Sequence, residues 1–222
     1  MPRTVAAGWH AQTVTFQGWP EDALDFYDGL EADNTKTYWL AHKHVYETCV
    51  LQPMTELLDE LGPEHGEGKI FRPYRDVRFS KDKSPYKTAI GATVGDGYIQ
   101  LSARGLAVGS GMYHMEPDQL DRYRQAVADD ESGAALADVV AGVRQHKIDV
   151  HGHELLKSAP RGYPADHPRI EWLRCKGVVA WQEWPVQAWL GTAGAKKRIT
   201  DFLAATAPLS SWLDKHVRPG AG

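Results

Sequence analysis

Leu24, Tyr27 and Leu30 recur at three-residue spacing behind Gly18 and Pro20. That spacing places them on one face of a helix, which Pro20 can open because a helix's first turn has no internal partner for its N–H. Asp33-Asn34-Thr35 breaks the pattern and supplies a cap for a second helix near residues 36–50. Pro53 restarts it: Met54, Leu57, Leu58 and Leu61 have helical spacing and should face a core. Residues 62–69, GPEHGEGK, read as a loop. Leu120, Tyr123 and Val127 form a stripe behind Glu116-Pro117, and Leu136, Val139, Val140 and Val143 form the next. Pro168 can open a short helix with Ile170, Trp172 and Leu173; Ile199, Phe202 and Leu203 mark another helix, and Pro208 begins a last one.

Period-two stretches lie between these stripes. A short strand is expected at Val14–Phe16. Residues 70–80 look extended, with Arg75, Val77 and Phe79 on one face and Asp76 and Arg78 on the other. Residues 80–85 read as a loop, with Pro85 holding Ser84 extended. Ile99 and Leu101 alternate with Tyr98, Gln100 and Ser102, and residues 105–109 make an antiparallel neighbour. GSG at 109–111 reads as a turn, 147–154 as a loop or strand, 160–168 as turns, and 178–184 as a strand. No repeat or long linker interrupts the chain. The expected fold is one α+β domain over residues 1–222, with a central, largely antiparallel or mixed sheet packed by several helices.

Composition excludes some classes. A chain of 222 residues with 42% hydrophobic and 24% charged residues can bury a sizeable core and is not disordered. A formal charge of −4 argues against a surface that coats nucleic acid. No window holds the roughly 18 consecutive apolar residues of a membrane span, and MPRTVAAGWHAQTVTF lacks a secretion segment, so the expectation is cytoplasmic, with no membrane partner. Cys49 and Cys175 stand far apart and are read as reduced thiols. Trp172, Trp181, Trp184 and Trp189 crowd into eighteen residues; they are read first as packing groups and second as a surface for a base or hydrophobic ligand.

Residues 71–87, FRPYRDVRFSKDKSPYK, depart from the acidic average. From Lys69 to Lys87 there are seven Lys or Arg and two Asp, a net of +5. Arg72, Arg75 and Arg78 offer planar donor arrays that match phosphates and carboxylates. Lys83 and Lys87 add adjustable point charges, and Tyr86 adds a donor or an aromatic surface. Asp76 can orient one of the arginines, and internal ion pairing is the competing explanation of the whole segment.

This stretch, with YWLAH at 38–42, GSGMYHMEP at 109–117 and LLKSAPRGYPADHP at 155–168, resembles the DUF2461 family. The likeness covers approximately residues 14–190 and leaves a helical C-terminal extension. The family's cationic motif falls on Arg72, Arg75, Asp76, Arg78, Phe79, Lys83, Pro85, Tyr86 and Lys87. Its later motif falls on Leu155, Lys157, Pro160, Gly162, Tyr163, His167 and Pro168. Asp33-Asn34 stands where the family usually has two asparagines. The resemblance implies a shared architecture but no established activity.

Lys157 and Arg161 join the first cationic segment if the two loops converge, and Tyr163 and His167 then become candidates for ligand recognition or proton transfer. His151 and His153 should face one side of a strand, with His167 or Glu171 as further ligands, but two histidines without HExxH do not make a zinc site, so no metal is expected. No phosphate loop, dinucleotide fingerprint or nucleophile elbow occurs, and no cofactor is implied. The leading expectation is a binder of a phosphorylated or carboxylated small molecule through Arg72, Arg75, Arg78, Lys83, Tyr86, Lys87, Lys157, Arg161, Tyr163 and His167, with its reaction unassigned. The alternatives are an interaction protein that docks an acidic partner and, below it, a single-strand nucleic-acid binder.

Overall fold

Six strands form one sheet in the computed structural model, which describes residues 15–218. They are β1 (Gly68–Ile70), β2 (Ala89–Val94), β3 (Gly97–Ser102), β4 (Gly105–Met112), β5 (Asp149–His153) and β6 (Gly177–Trp184). Their order is β1-β2-β3-β4-β6-β5, and every pairing is antiparallel. The α+β expectation therefore holds, with a wholly antiparallel sheet. β2 and β3 meet at the two-residue turn Gly95-Asp96, where Gly95 takes φ 52°, the left-handed conformation such tight hairpins need.

Strand alternation sorts the sheet into two unlike faces. Ile90, Ala92, Val94, Ile99, Leu101, Leu106, Val108, Met112, Val150, Val178 and Ala180 are buried on one face. The helices pack there: α1 (Glu21–Ala32), α2 (Lys36–Val45), α3 (Gln52–His65), α4 (Pro117–Ala128), α5 (Asp130–Gln145), the short α6 (Ile170–Leu173) and α7 (Gly194–His216). The register puts Gly91, Thr93, Tyr98, Gln100, Ala107, Gly109, Trp181, His151 and His153 on the other face, which no helix among the described residues covers. Among the described residues, no helix is long and apolar enough to cross a membrane.

The helical stripes bury as their spacing requires. Leu24, Tyr27 and Leu30 of α1, Met54, Leu57, Leu58 and Leu61 of α3, and Leu136, Val140 and Val143 of α5 all lie in the core. The Thr35 hydroxyl caps α2 by accepting from the Tyr38 N–H at 3.2 Å. A wider π turn, Tyr46–Leu51, joins α2 to α3. It falls just before Pro53, which has no N–H to give and whose ring crowds the preceding turn, so the extra residue relieves both faults.

Several local expectations are corrected. Residues 62–65 continue α3 through Pro63, and Gly66 ends it at φ 89° before β1 begins at Gly68, so 62–69 is not a loop. GSG at 109–111 is no turn but the middle of β4. Its glycines make room: a Cβ on Gly109 would lie 2.7 Å from the Trp181 ring, and one on Gly111 would lie 2.4 Å from the Val178 carbonyl oxygen. Pro208 does not start a helix; α7 runs through it, because Leu203, Leu209, Trp212 and Leu213 are buried on both sides of it and hold the axis together. α7 thus carries the C-terminal helical region across the core face of the sheet. Residues 71–79 contain no strand. Val14 lies outside the described residues, and Thr15 and Phe16 belong to no strand, although Phe16 is buried and its N–H donates to Glu60 Oε1 at 2.7 Å.

Candidate functional site

Residues 71–88 form a strap between β1 and β2. Proline and the surrounding charge keep it from becoming a regular strand, and a few backbone bonds close its base. Tyr74 and Tyr86 form an isolated antiparallel bridge. The Arg75 N–H donates to the Pro85 carbonyl at 2.9 Å, and the Lys87 N–H to the Pro73 carbonyl at 2.8 Å. Tyr86 is buried and stacks on Trp39 with centroids 4.4 Å apart and planes 6° apart. Burial raises its phenol pKa. Tyr86 therefore anchors the strap to α2.

The strap cations divide into two sets. Arg78 grips Asp76, with Nη2 2.7 Å from Oδ2 and Nε 3.0 Å from Oδ1, which lowers the Asp76 pKa. Arg75 pairs with Asp82. That bond, together with the Ser84 hydroxyl and N–H donating to Asp82 Oδ1 at 2.6 and 2.9 Å, holds the Asp82 carboxyl well below its ordinary range. Lys83 Nζ donates to the Val77 carbonyl at 3.0 Å. Among the described residues, Arg72, Lys81 and Lys87 are in no ion pair. Arg72 and Lys81 are exposed, whereas the Lys87 ammonium sits 5.6 Å from the centroid of the Phe71 ring.

Lys87 lines a cavity of about 630 Å³ between the strap and the uncovered sheet face. Arg75, Arg104, Tyr98 and Gln100 also line it, with Glu31 and Asp82 as its acidic members. Arg104 comes from the β3–β4 turn and is in no ion pair among the described residues. A second cavity of about 880 Å³ continues along the sheet and shares Phe71, Tyr98 and Gln100 with the first. Trp181, Tyr113, His151 and His153 line its far part. The whole is one groove, cationic near the strap and aromatic toward β6.

The later motif lies elsewhere. Residues 155–168 follow β5, at the opposite edge of the sheet from β1. Five strand spacings of about 4.8 Å separate the two edges, about 24 Å. Lys157 and Arg161 are exposed there. Tyr163 packs against the core and its pKa is raised by burial, with Arg124 of α4 acting in the opposite direction. His167 Nδ1 accepts from the Arg169 N–H at 3.0 Å. Of the ten sequence candidates, Arg75, Tyr86 and Lys87 share the groove; Lys157, Arg161, Tyr163 and His167 line neither of its cavities. His151 and His153 do share one sheet face, where His151 pairs with Asp149 at 2.8 Å and His153 stacks on Tyr113. Among the described residues, no group of three or more His, Cys, Asp or Glu stands ready to hold a metal.

Sequence reasoning missed Tyr98, Gln100 and Arg104 as groove residues, and it ranked Trp181 as a packing group ahead of a ligand surface. The signal was the alternation in GYIQLS: a buried Ile99 and Leu101 imply that Tyr98 and Gln100 face away from the core together.

A family model described as a conserved hypothetical protein (DUF2461) matches residues 22–212. Among solved structures, the chain is similar to a conserved hypothetical protein from Pyrococcus furiosus, at 13% identity and a TM-score of 0.38, over 77% of this chain and 98% of that one. No curated protein matches the chain.

Proposed function

The chain belongs to the DUF2461 family, and we propose that it binds a small phosphorylated or carboxylated molecule in the groove beside its strap. The observation that supports this is how the cations are used. Arg75, Arg78 and Lys83 are satisfied within the strap, by Asp82, Asp76 and the Val77 carbonyl. Lys87 and Arg104 come from different segments, have no acidic partner among the described residues, and line one cavity. Two such cations facing a shared concave space favour an anion there. In this reading the Arg75–Asp82 pair shapes the wall, and no reaction is assigned. Its setting is the cytoplasm, where Cys49 and Cys175 stay as the unlinked thiols they are here.

The test is a thermal-shift panel of phosphorylated and carboxylated metabolites at constant ionic strength, on the native chain and on Lys87→Gln with Arg104→Gln. A selective upward shift that disappears in the double variant is the expected result. Equal shifts in both proteins, or none with any anion beyond the response to chloride, would remove the proposal.

A second reading, docking of an acidic protein segment, is favoured by the strap's tip. Phe79 is 96% exposed there, with the Arg78 guanidinium 6.0 Å from its ring centroid and Lys81 nearby in sequence. Arginine and aromatic side chains together make effective anchors. Partner binding lost in Phe79→Ser but kept in the Lys87 and Arg104 variant would select this reading over the first.

A further inference from the structure

Two aromatic rings on the uncovered sheet face rest against glycines. A Cβ on Gly109 would come within 2.7 Å of Trp181 Cε3, and one on Gly91 within 2.7 Å of the Tyr98 hydroxyl. Each ring therefore leans across a neighbouring strand at a position where any side chain would lift it. Each is also tied at its polar edge. The Trp181 indole N–H donates to Glu183 Oε1 at 2.9 Å, and the Tyr98 hydroxyl donates to Gln100 Oε1 at 3.0 Å. The two rings are 6.1 Å apart and within 21° of parallel. Phe71 continues the row 6.3 Å from Tyr98 and carries Lys87 over its own ring. The row thus ends at the cations.

We infer that the groove takes a nucleotide-like small molecule, a planar ring joined to a phosphate, with the ring laid on Trp181 and Tyr98 and the phosphate at Lys87 and Arg104. This rests on the anion-binding reading and adds the ring. Rings fixed in advance lose little freedom when a second ring stacks on them. Both cavities, at about 630 and 880 Å³, are of the size that small-molecule sites have. The charge along the groove runs one way. Beyond Trp181 the same face carries Glu183 and Asp149, and Arg218, which lines the second cavity, is already paired with Asp96 and Asp214, so a second phosphate would meet carboxylates and an occupied arginine. A nucleic-acid strand needs a continuing cationic track, and the described residues of this face do not offer one. One ring with its phosphate at one end fits; a polymer does not.

The test is calorimetric titration of the full chain with the four ribonucleoside 5′-monophosphates, ribose 5-phosphate and a single-stranded ten-nucleotide DNA. Native protein, Lys87→Gln, Trp181→Leu and Trp181→Phe are compared after a melting check. At least one mononucleotide should bind about tenfold or more tighter than ribose 5-phosphate. Trp181→Leu should erase that advantage and leave ribose 5-phosphate binding unchanged; Trp181→Phe should keep most of it. Lys87→Gln should weaken both ligands. If every mononucleotide binds only as ribose 5-phosphate does, still through Lys87, the ring is overturned and the anion site stands. If no phosphate compound binds, the nucleotide inference falls, and the carboxylate panel above decides the anion reading separately. An oligonucleotide that outcompetes every mononucleotide overturns the small-molecule occupant.

Discussion

Asn34 and Tyr86 hold each other by a reciprocal pair of hydrogen bonds: the Asn34 amide donates to the Tyr86 carbonyl at 3.0 Å, and the Tyr86 N–H donates to Asn34 Oδ1 at 3.0 Å. The side chain imitates a neighbouring strand. It ties the end of the strap to the break between α1 and α2, just where Tyr86 stacks on Trp39. Both backbone groups of Tyr86 would lose their partner in Asn34→Ala, a cost of about 1–3 kcal/mol for part-buried polar groups. The loss should be local, because the strap adds little to the core. We expect amide exchange at Tyr86 and Lys87 to quicken by more than tenfold while the core strands keep their protection. Unchanged exchange at Tyr86 would mean that the Trp39 stack alone holds the strap.

Asp82 sets the acid behaviour of the same strap. Its carboxyl lies well below the ordinary range because Arg75 and Ser84 donate to the charged form. A folded value below the unfolded one makes the contribution full above the usual carboxylate range, and it is lost only as pH falls through the lowered value. Protection of residues 75–84, corrected for intrinsic exchange, should therefore stay level from pH 8 to pH 5. Asp82→Asn should lose that protection already at pH 7. A decline centred near pH 6 in the native chain would assign the strap's order to a histidine instead.

Much of the fold was legible because period and burial agree. The stripes of α1, α3, α4 and α5 and the alternation of β3 follow from one face meeting a core. What could not be read was set by distant contacts. Residues 89–94, AIGATV, carry Ile90, Ala92 and Val94 at period two, yet short residues dilute the signal, and β2 shows itself only through its partners β1 and β3. GSG has a turn's composition; that it serves instead as ground for the Trp181 ring depends on a strand some seventy residues on. The strap was visible as a charge anomaly, but which of its cations Asp76 and Asp82 would occupy depended on how the loop folds back. The Asp33-Asn34 pair pointed at a residue that matters, Asn34, with nothing local to say that Tyr86 was its partner.

The two cysteines should differ sharply in reactivity. Cys175 is buried beneath Gly152, its thiol donates to the Glu171 carbonyl at 3.1 Å, and burial pushes its pKa up to about 11. At pH 8 only about one thiol in a thousand is then the reactive thiolate. Cys49 is partly exposed. Iodoacetamide at pH 8 should label Cys49 and leave Cys175 unmodified in the folded chain, with both labelled in denaturant, as peptide mass spectrometry would show. Equal labelling of the folded protein would show that β5 and α6 open readily around Cys175.

Gly109 and Gly111 lie on the same face of β4, yet replacing them should have unequal effects. A Cβ on Gly109 meets the edge of the Trp181 ring, a side chain that can lift away from the sheet. Gly109→Ala should cost about 1 kcal/mol, the low end for overpacking. It should break the indole bond to Glu183 and move the Trp181 Nε1–H resonance, leaving anion binding through Lys87 intact. Gly111 is different on two counts: its φ of 113° suits glycine alone, and its Cβ would press to 2.4 Å on the Val178 carbonyl oxygen of the paired strand. Backbone of a paired strand cannot swing aside as a ring can. Gly111→Ala should therefore destabilise by about 3 kcal/mol or more, combining strain with overpacking. Denaturant titration of the two variants gives the comparison directly. A Gly109→Ala loss as large as that of Gly111→Ala would mean that Trp181 is clamped in place, a packing group and not a ring resting open on the sheet.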